Sequence, residues 1–255
     1  MAKEKQVKDQ LDIVDFSADI QKYVCQSNEL VQGKQGLKLN STKLVRAAIM
    51  QVAKEDEELH PYVITIGELA DLLQISKSNV YRDINAITDD IISHPVFVRK
   101  QNGDKIQWVK IPWVQKCEYN SDTGLLLQLN VELAPYLVKL KERYTQYTLQ
   151  EIVSFKSVYS IRLYELLKSK IMSSSIPGKG IDVQLSLEAI RECCGCEGKA
   201  YERFSHLHAR VIEPAVEEIN KKTWCNLSYS LRKDGRSVCG IVFHITEKGR
   251  KSDKE

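Results

Sequence analysis

The chain has 255 residues, of which 43% are hydrophobic and 28% charged, and its formal net charge is +3. This composition is too apolar for a disordered chain, and the length predicts one or two domains. No apolar run approaches the roughly 18 residues of a membrane span, and the first residues lead into no apolar stretch. We therefore expect no membrane association and no signal peptide.

The charge is spread unevenly along the chain. Residues 1–145 carry 19 Lys and Arg against 20 Asp and Glu, a net of −1, whereas residues 146–255 carry 18 against 14, a net of +4. Counting noise is one explanation, and a second half that binds a polyanion more firmly is the other. The seven cysteines, an odd number, favour reduced thiols and a cytoplasmic location.

The first half predicts a helix, a strand, two helices and a hairpin. The first helix runs from Ser41 to about Lys54, and the β-branched run Val63–Ile66 is typical of a strand. A helix over Gly67–Leu73 follows, and after a short turn Ser76 caps the next helix. Asn102-Gly103, between two β-rich runs, predicts a β-hairpin.

The second half repeats this order. A helix from about Ser157 to Ile171 is followed by a loop and by the alternating strand Ile181–Leu185. Ser186 then caps a short helix that ends at Cys193. After a glycine-rich turn comes a long helix from about Ala200 to Lys221. The last prediction is a second hairpin, with residues 233–236 at its tip.

Helix, strand, helix, turn, helix and hairpin is the order of a winged helix, in which the central pair is a helix-turn-helix and the hairpin is the wing. Two passes through this order predict an α+β chain with tandem winged-helix domains, residues 1–145 and 146–255.

The first helix-turn-helix fits the packing that this motif needs. A small residue, Ala70, stands where the second helix crosses the first, and apolar Ile75 and Val80 follow at the turn and one turn into the second helix. Gln74 departs from the motif, because the turn residue is usually a glycine with positive φ. The second helix then offers candidate DNA contacts: Lys77, Ser78, Asn79 and Arg82. The alternative is a solvated helix face.

The second recognition helix carries a cationic stripe. Arg203, His206 and Arg210 are three and four residues apart, away from an apolar stripe on the same helix, and no acid belongs to this stripe. Lys199 precedes the stripe and His208 lies near its edge, so all five residues are candidate DNA contacts. An ordinary exposed face is the alternative. Pro214, inside this helix, predicts a kink.

The hairpin tips carry basic residues: Lys100, Lys105, Lys233 and Arg236. Basic wings often follow the phosphate backbone beside the groove, although they also occur as solubilising edges.

Three other patterns suggest chemistry that the sequence does not support well. His206-Leu207-His208 resembles the metal-binding triplet of rolling-circle nickases, but on a helix residues two apart point in different directions. Cys193, Cys194 and Cys196 lack the spacing of a structural zinc site. Gly178-Lys179-Gly180 lacks the spacing of a P-loop. We expect no catalytic residue, metal or cofactor.

Several short motifs, in this order along the chain, resemble those of iteron-binding plasmid replication initiators of the mini-F type. The resemblance covers roughly residues 22–246. The motifs are Gln26-Ser27-Asn28-Glu29-Leu30, Pro112-Trp113, Pro135-Tyr136-Leu137, Arg143-Tyr144-Thr145-Gln146-Tyr147, Tyr159-Ser160-Ile161-Arg162-Leu163-Tyr164-Glu165-Leu166-Leu167, Glu218-Ile219-Asn220, Tyr229, Gly235-Arg236 and Ile241-Val242-Phe243.

This resemblance implies two winged-helix domains related by pseudo-two-fold symmetry that bind repeated origin sequences, the iterons, in double-stranded DNA. It also implies that monomers help to open the origin and recruit host replication proteins and chaperones, in equilibrium with a homodimer that binds an operator inverted repeat and represses its own gene. The first domain would dimerise and the second would supply most of the DNA binding, in the bacterial cytoplasm. A chromosomal winged-helix transcription regulator remains a further alternative.

Overall fold

The computed structural model describes residues 22–53, 55–102, 105–171, 176 and 179–249. In the first half of the chain, regular elements appear in this order: β1 Tyr23–Ser27, α1 Asn28–Gln32, α2 Leu39–Met50, β2 Tyr62–Ile64, α3 Ile66–Leu73, α4 Lys77–Ser93, β3 Val96–Asn102, β4 Lys105–Ile111, β5 Val114–Asn120, β6 Gly124–Leu129, a 3₁₀ turn Val131–Leu133, α5 Ala134–Leu137 and β7 Tyr144–Thr148.

The second half continues with α6 Leu149–Val153, α7 Val158–Lys168, β8 Ile181–Ser186, α8 Leu187–Cys194, a 3₁₀ turn Lys199–Tyr201, α9 Phe204–Leu207, a π-helical turn His208–Ile212, α10 Glu213–Lys222, β9 Cys225–Asp234 and β10 Ser237–Glu247. The predicted order of helix, strand, helix, turn, helix and hairpin is therefore present twice, as α2 to β4 and as α7 to β10.

The two winged helices use their sheets differently. In the second, β8 pairs with β10 and β10 pairs with β9, so the wing belongs to one three-stranded sheet. In the first, β2 pairs with β6, which also pairs with β5, and the wing β3–β4 is a separate two-stranded sheet. Strands β5 and β6 thus take the place beside β2 that the wing takes beside β8 in the second half.

Several predicted boundaries were wrong by a few residues. The first helix spans Leu39–Met50 and not residues 41–54. The strand ends at Ile64 because Thr65 begins a capping box: its hydroxyl accepts from the N–H of Glu68, and the Glu68 carboxylate accepts from the N–H of Thr65. Ile66 therefore starts α3 and does not end β2.

Three positions named in the sequence predictions lie outside the described residues: Lys54, Gly103 and Gly178. The first hairpin is nevertheless present, because β3 and β4 pair from Val96 opposite Ile111 to Asn102 opposite Lys105.

A single continuous apolar core extends through both halves. Apolar residues at helical spacing on both recognition helices are buried in this core: Val80, Ile84, Ile87 and Ile91 in α4, and Leu207, Val211, Ala215 and Ile219 in the second half. Phe204, on the same apolar stripe, is half-buried. Burial of each large apolar side chain contributes about 1.5–3 kcal/mol, which fixes these helices on their scaffold.

The predicted domain boundary at 145/146 falls inside β7, which pairs with β1 from the start of the described chain. Among the described residues, no helix is long and apolar enough to cross a membrane.

Candidate nucleic-acid interface

The turn of the first helix-turn-helix depends on Gln74, which adopts the left-handed conformation with φ 56° and ψ 46°. Its N–H donates to the carbonyls of Ala70 and Asp71, and the N–H of Ile75 donates to the Ala70 carbonyl at 3.1 Å. These bonds satisfy carbonyls that the end of α3 leaves free. Gln74 therefore takes the conformation for which the motif normally uses glycine.

Ser76 starts the first recognition helix, as predicted, by accepting a hydrogen bond from the N–H of Asn79 at 3.3 Å. Lys77, Ser78 and Arg82 are exposed and Asn79 is half-buried. Arg82 is paired with Asp83, with 2.7 Å between Nε and Oδ1. Hydrogen bonding and charge attraction from Arg82 hold the pKa of Asp83 below its usual value. Part of the positive charge on this helix is thus already neutralised.

The turn of the second helix-turn-helix has the same hydrogen bonds as the first. Gly195 is left-handed, with φ 68° and ψ 28°, and its N–H donates to the carbonyls of Arg191 and Glu192. The N–H of Cys196 then donates to the Arg191 carbonyl at 2.7 Å, as Ile75 donates to Ala70 in the first unit. Cys196 is fully buried, so it fills the apolar turn position.

The path from this turn to the second recognition helix is longer than predicted. The helix starts at Phe204 and not at Ala200, and Arg203 is its extended N-cap residue. A 3₁₀ turn over Lys199–Tyr201 occupies the space between. The side chain of Arg191 holds this turn by donating to the carbonyls of Tyr201, at 3.3 Å, and Glu202, at 3.1 Å.

The predicted kink at Pro214 takes the form of a π-helical turn. Proline has no N–H to donate to the carbonyl of Arg210, four residues earlier. The helix widens over His208–Ile212, where the N–H of Glu213 donates to the carbonyl of His208, five residues earlier. The turn therefore lies within the predicted contact surface and includes Arg210.

Of the five predicted contact residues around the second recognition helix, three are exposed and the two histidines, His206 and His208, are half-buried. Lys199, Arg203 and Arg210 are exposed and His206 is half-buried, with its Nδ1 3.3 Å from the Ala200 carbonyl. Neither arginine has an acidic partner within the described part of the chain. Arg203 precedes the helix, so it does not share a regular helical face with His206 and Arg210.

His208 points toward the wing sheet. Its Nε2 lies 2.7 Å from the hydroxyl of Tyr229 on β9, and its ring packs between those of Phe204 and Tyr229. These contacts give His208 a packing role between the recognition helix and the wing; its predicted contact with DNA stays a prediction.

The second wing presents Lys233 on β9 and Arg236 in the tight turn to β10, both exposed. Gly235 has φ 57° in this two-residue loop, a conformation that glycine adopts without strain. In the first wing, Lys100 and Lys105 belong to β3 and β4, but their side chains fall outside the described residues.

Comparisons with known proteins bear on what this surface is for. A family profile described as "Initiator Replication protein, WH1" matches residues 23–168, and one described as "Initiator Rep protein, WH2" matches residues 186–245. The chain belongs to the replication initiator family.

Related proteins align along most of the chain. It is similar to a "Replication initiation protein" from Escherichia coli, with 25% identity over 228 residues, which cover 87% of this chain and 69% of the relative. It is also similar to an "Uncharacterized 27.6 kDa protein" from Escherichia coli, with 22% identity over 86% of this chain and 93% of the relative.

A solved structure shows the same fold as this initiator. It is the crystal structure of Pi initiator protein in complex with iteron DNA, with a TM-score of 0.73, 18% identity, and coverage of 90% of this chain and 98% of that chain. The tandem winged-helix architecture predicted from the element order is therefore confirmed.

The nickase and zinc patterns find no matching geometry in the described part of this initiator. His206-Leu207-His208 is helical, and its two imidazoles have different partners. Cys193, Cys194 and Cys196 are buried. Across the described residues, no three His, Cys, Asp or Glu side chains form a group that could hold a metal ion.

Sequence reasoning missed two features of the interface. The first is Arg191, which holds the 3₁₀ turn and lies four residues before the left-handed turn residue, where the first unit has Ala70. A long donor in place of a small residue was the sequence signal that could have indicated this role. On the first wing, Trp108 is 61% exposed and packs near Phe97, while the ammonium of Lys110 lies 4.6 Å from the Phe97 ring centre.

Proposed function

We propose that this chain initiates plasmid replication by binding repeated origin sequences, iterons, in double-stranded DNA through both winged helices. One observation carries the proposal: a replication initiator contains two helix-turn-helix units with the same left-handed turn, each followed by a β-hairpin. The solved Pi initiator of the same fold is in complex with iteron DNA, which supports this choice of ligand.

Within this proposal, the second unit provides the stronger contacts. Arg203 and Arg210 are exposed and have no acidic partners among the described residues, so both are available to bases or phosphates. Further donors of the same unit lie before the recognition helix, on it and on the wing: Lys199, His206, Lys233 and Arg236.

The first unit contributes a second set of contacts. Its recognition helix contacts the neighbouring DNA segment through polar residues of its first two turns: Lys77, Ser78, Asn79 and Arg82. Its wing adds two lysines, Lys100 and Lys105. Two such units reach successive major grooves, about 34 Å apart.

The wider role follows from the family resemblance. The DNA-bound monomer promotes origin opening and recruits host replication proteins and chaperones in the cytoplasm. In equilibrium with it, a homodimer formed through the first domain binds an operator inverted repeat and represses transcription of its own gene. The function needs no cofactor, and we assign no catalytic residue.

The full-length protein is first used to select duplexes from a random library. Footprinting then follows on the origin of the plasmid that carries the gene. We expect enrichment of a single motif that recurs as direct repeats in the origin, with protection of two adjacent major grooves. Failure to enrich any duplex would overturn the proposal. Incubation with supercoiled origin DNA and a divalent metal separates it from the nickase alternative, which requires a covalent tyrosine–DNA product.

A further inference from the structure

A buried cluster of charged side chains lies where the two halves of the chain meet. Arg46 of α2 and Glu165 of α7 are fully buried, and Arg162 of α7 is 2% exposed. Arg46 Nε lies 2.6 Å from Glu165 Oε1, and Arg162 Nη1 lies 2.5 Å from Glu165 Oε2. One carboxylate is thus shared by two guanidinium groups.

The carboxylate is held in its charged form. Burial alone would raise the pKa of Glu165, but Arg46 and Arg162 outweigh burial and lower it to about 2. The hydroxyl of Tyr147 also donates to Glu165. One negative charge does not balance two buried positive charges, so the cluster needs further acceptors.

Arg162 finds these acceptors at the ends of two helices. It donates to the carbonyls of Val31, at 2.6 Å, and Gly33, at 2.9 Å, where α1 of the first half ends. It also donates to the carbonyl of Cys193, at 3.1 Å, in the last turn of α8. Carbonyls at helix C-termini lack intrahelical donors and attract positive charge.

Helix α8 is the first helix of the second helix-turn-helix, whereas α1 belongs to the first half. A guanidinium is planar and its donors have fixed directions, so it restrains the relative orientation of the groups that it joins. Elsewhere in the described chain, the ion pairs Lys34–Glu197 and Arg99–Glu192 also join the first half to this unit. Both pairs are solvent-accessible, and exposed pairs restrain little.

We infer that Arg162 is a positioning residue that orients the second helix-turn-helix relative to the first half and so sets the spacing of the two DNA segments that the chain accepts. The inference rests on the proposed function, since it concerns how two DNA-binding units act together. A residue with only a structural role would change stability and leave the preferred spacing unchanged.

Arg162→Met is the decisive variant. Methionine replaces the unbranched aliphatic part of the arginine side chain, leaves Arg46 and Glu165 as a balanced pair, and removes the donors to Val31, Gly33 and Cys193. Arg162→Lys keeps the charge without the planar fork, and it carries the test if circular dichroism shows that Arg162→Met is unfolded. Ile245→Val, in the buried face of the second wing sheet, is the control for a small loss of stability.

The experiment measures binding of the full-length variants to the duplex selected by the wild-type protein and to versions with one or two base pairs inserted or deleted between the two protected segments. The readout is the ratio of dissociation constants for altered and original spacing. For wild type and Ile245→Val we expect a steep preference for the original spacing. For Arg162→Met we expect that ratio to fall by at least about fivefold, a typical lower bound for coupling between two sites.

An unchanged ratio in a folded Arg162 variant would overturn the positioning role, and so would a wild type without spacing preference. Both results are compatible with the proposed function, because the duplex is still bound. Absence of any selected duplex would instead overturn the proposed function itself.

Discussion

In both units a left-handed turn residue precedes the recognition helix, but the path from that residue to the helix differs. In the first unit, α4 begins at Lys77, three residues after Gln74, and runs without interruption to Ser93. In the second, α9 begins at Phe204, nine residues after Gly195, and a π-helical turn then interrupts the helix. The same turn geometry is thus followed within three residues by a regular helix in the first half. In the second half it is followed only after nine residues by a helix that widens into a π-helical turn.

The wings differ in a related way. The second belongs to a three-stranded sheet with β8, so its basic tip extends from a supported base. The first is a two-stranded hairpin, with a further bridge between Lys34 and Phe97. Isolated two-stranded hairpins are marginally stable. Among the described residues, the second unit thus combines two arginines that lack acidic partners, Arg203 and Arg210, with a better supported wing, and we expect it to dominate DNA binding.

Loss of the buried anion at Glu165 should destabilise the protein more than any other substitution considered for the junction between the second unit and the first half. Glu165→Gln leaves Arg46 and Arg162 buried without an anion, and we expect a loss of about 3–5 kcal/mol in the free energy of unfolding. The measurement is urea unfolding at neutral pH. A loss below about 1 kcal/mol would contradict this account of the cluster.

The same variant has a pH signature. In the folded protein the pKa of Glu165 is lowered from 4.5 to about 2. Its contribution to stability is therefore present above pH 4.5 and disappears as the pH falls toward 2. We expect the difference in unfolding free energy between wild type and Glu165→Gln to shrink over this window. Glu132→Gln, at an exposed position, is the control and should change stability by less than about 0.5 kcal/mol.

Next in size is the difference in DNA affinity between the two recognition helices. Arg203→Ala and Arg210→Ala should each weaken binding to the selected duplex by about 1–3 kcal/mol if these side chains contact bases. Arg82→Ala should weaken binding by less than about fivefold, because Arg82 is already paired with Asp83. Fluorescence anisotropy at fixed salt measures all three. Equal losses of affinity in Arg82→Ala and Arg203→Ala would show that the second unit does not dominate DNA binding. Unchanged affinity in both Arg203→Ala and Arg210→Ala would refute the assigned contacts.

The element order was predictable from the sequence because each element carries a local signal. Ser76 and Ser186 cap helices, apolar residues recur at helical spacing, and Gly235 marks a tight turn. The path before Phe204 was not predictable, since residues 200–203 include no glycine or proline, and the 3₁₀ turn is held by Arg191 from another helix. Tertiary contacts override local propensity at such positions.

The buried cluster was also beyond sequence reasoning. Arg162 and Glu165 were visible only as part of a family motif, and their spacing equally fits an exposed ion pair on a helix surface. Their burial depends on Arg46, which lies in the other half of the chain, and no local pattern links these positions. Exposure was predictable where helix periodicity sets it, as at Lys77 and Arg82, whereas the contact of these residues with DNA stays a prediction.

Substitutions at the left-handed turn residue that both units share, Gln74 and Gly195, should change stability only modestly. A residue other than glycine in the left-handed conformation costs about 1–2 kcal/mol. Gly195→Ala should therefore destabilise the protein by about that amount, and its Cβ would also lie 3.3 Å from the carbonyl oxygen of Gln35. Gln74→Gly should stabilise it by up to about 1 kcal/mol, because glycine removes this strain but is more flexible when unfolded. Thermal unfolding of both variants gives the measurement. The changes in stability should have opposite signs because the two units share one backbone conformation. A loss of stability in Gln74→Gly would show that the hydrogen bond that the Gln74 side chain accepts from Lys156, at 3.1 Å, outweighs the backbone strain.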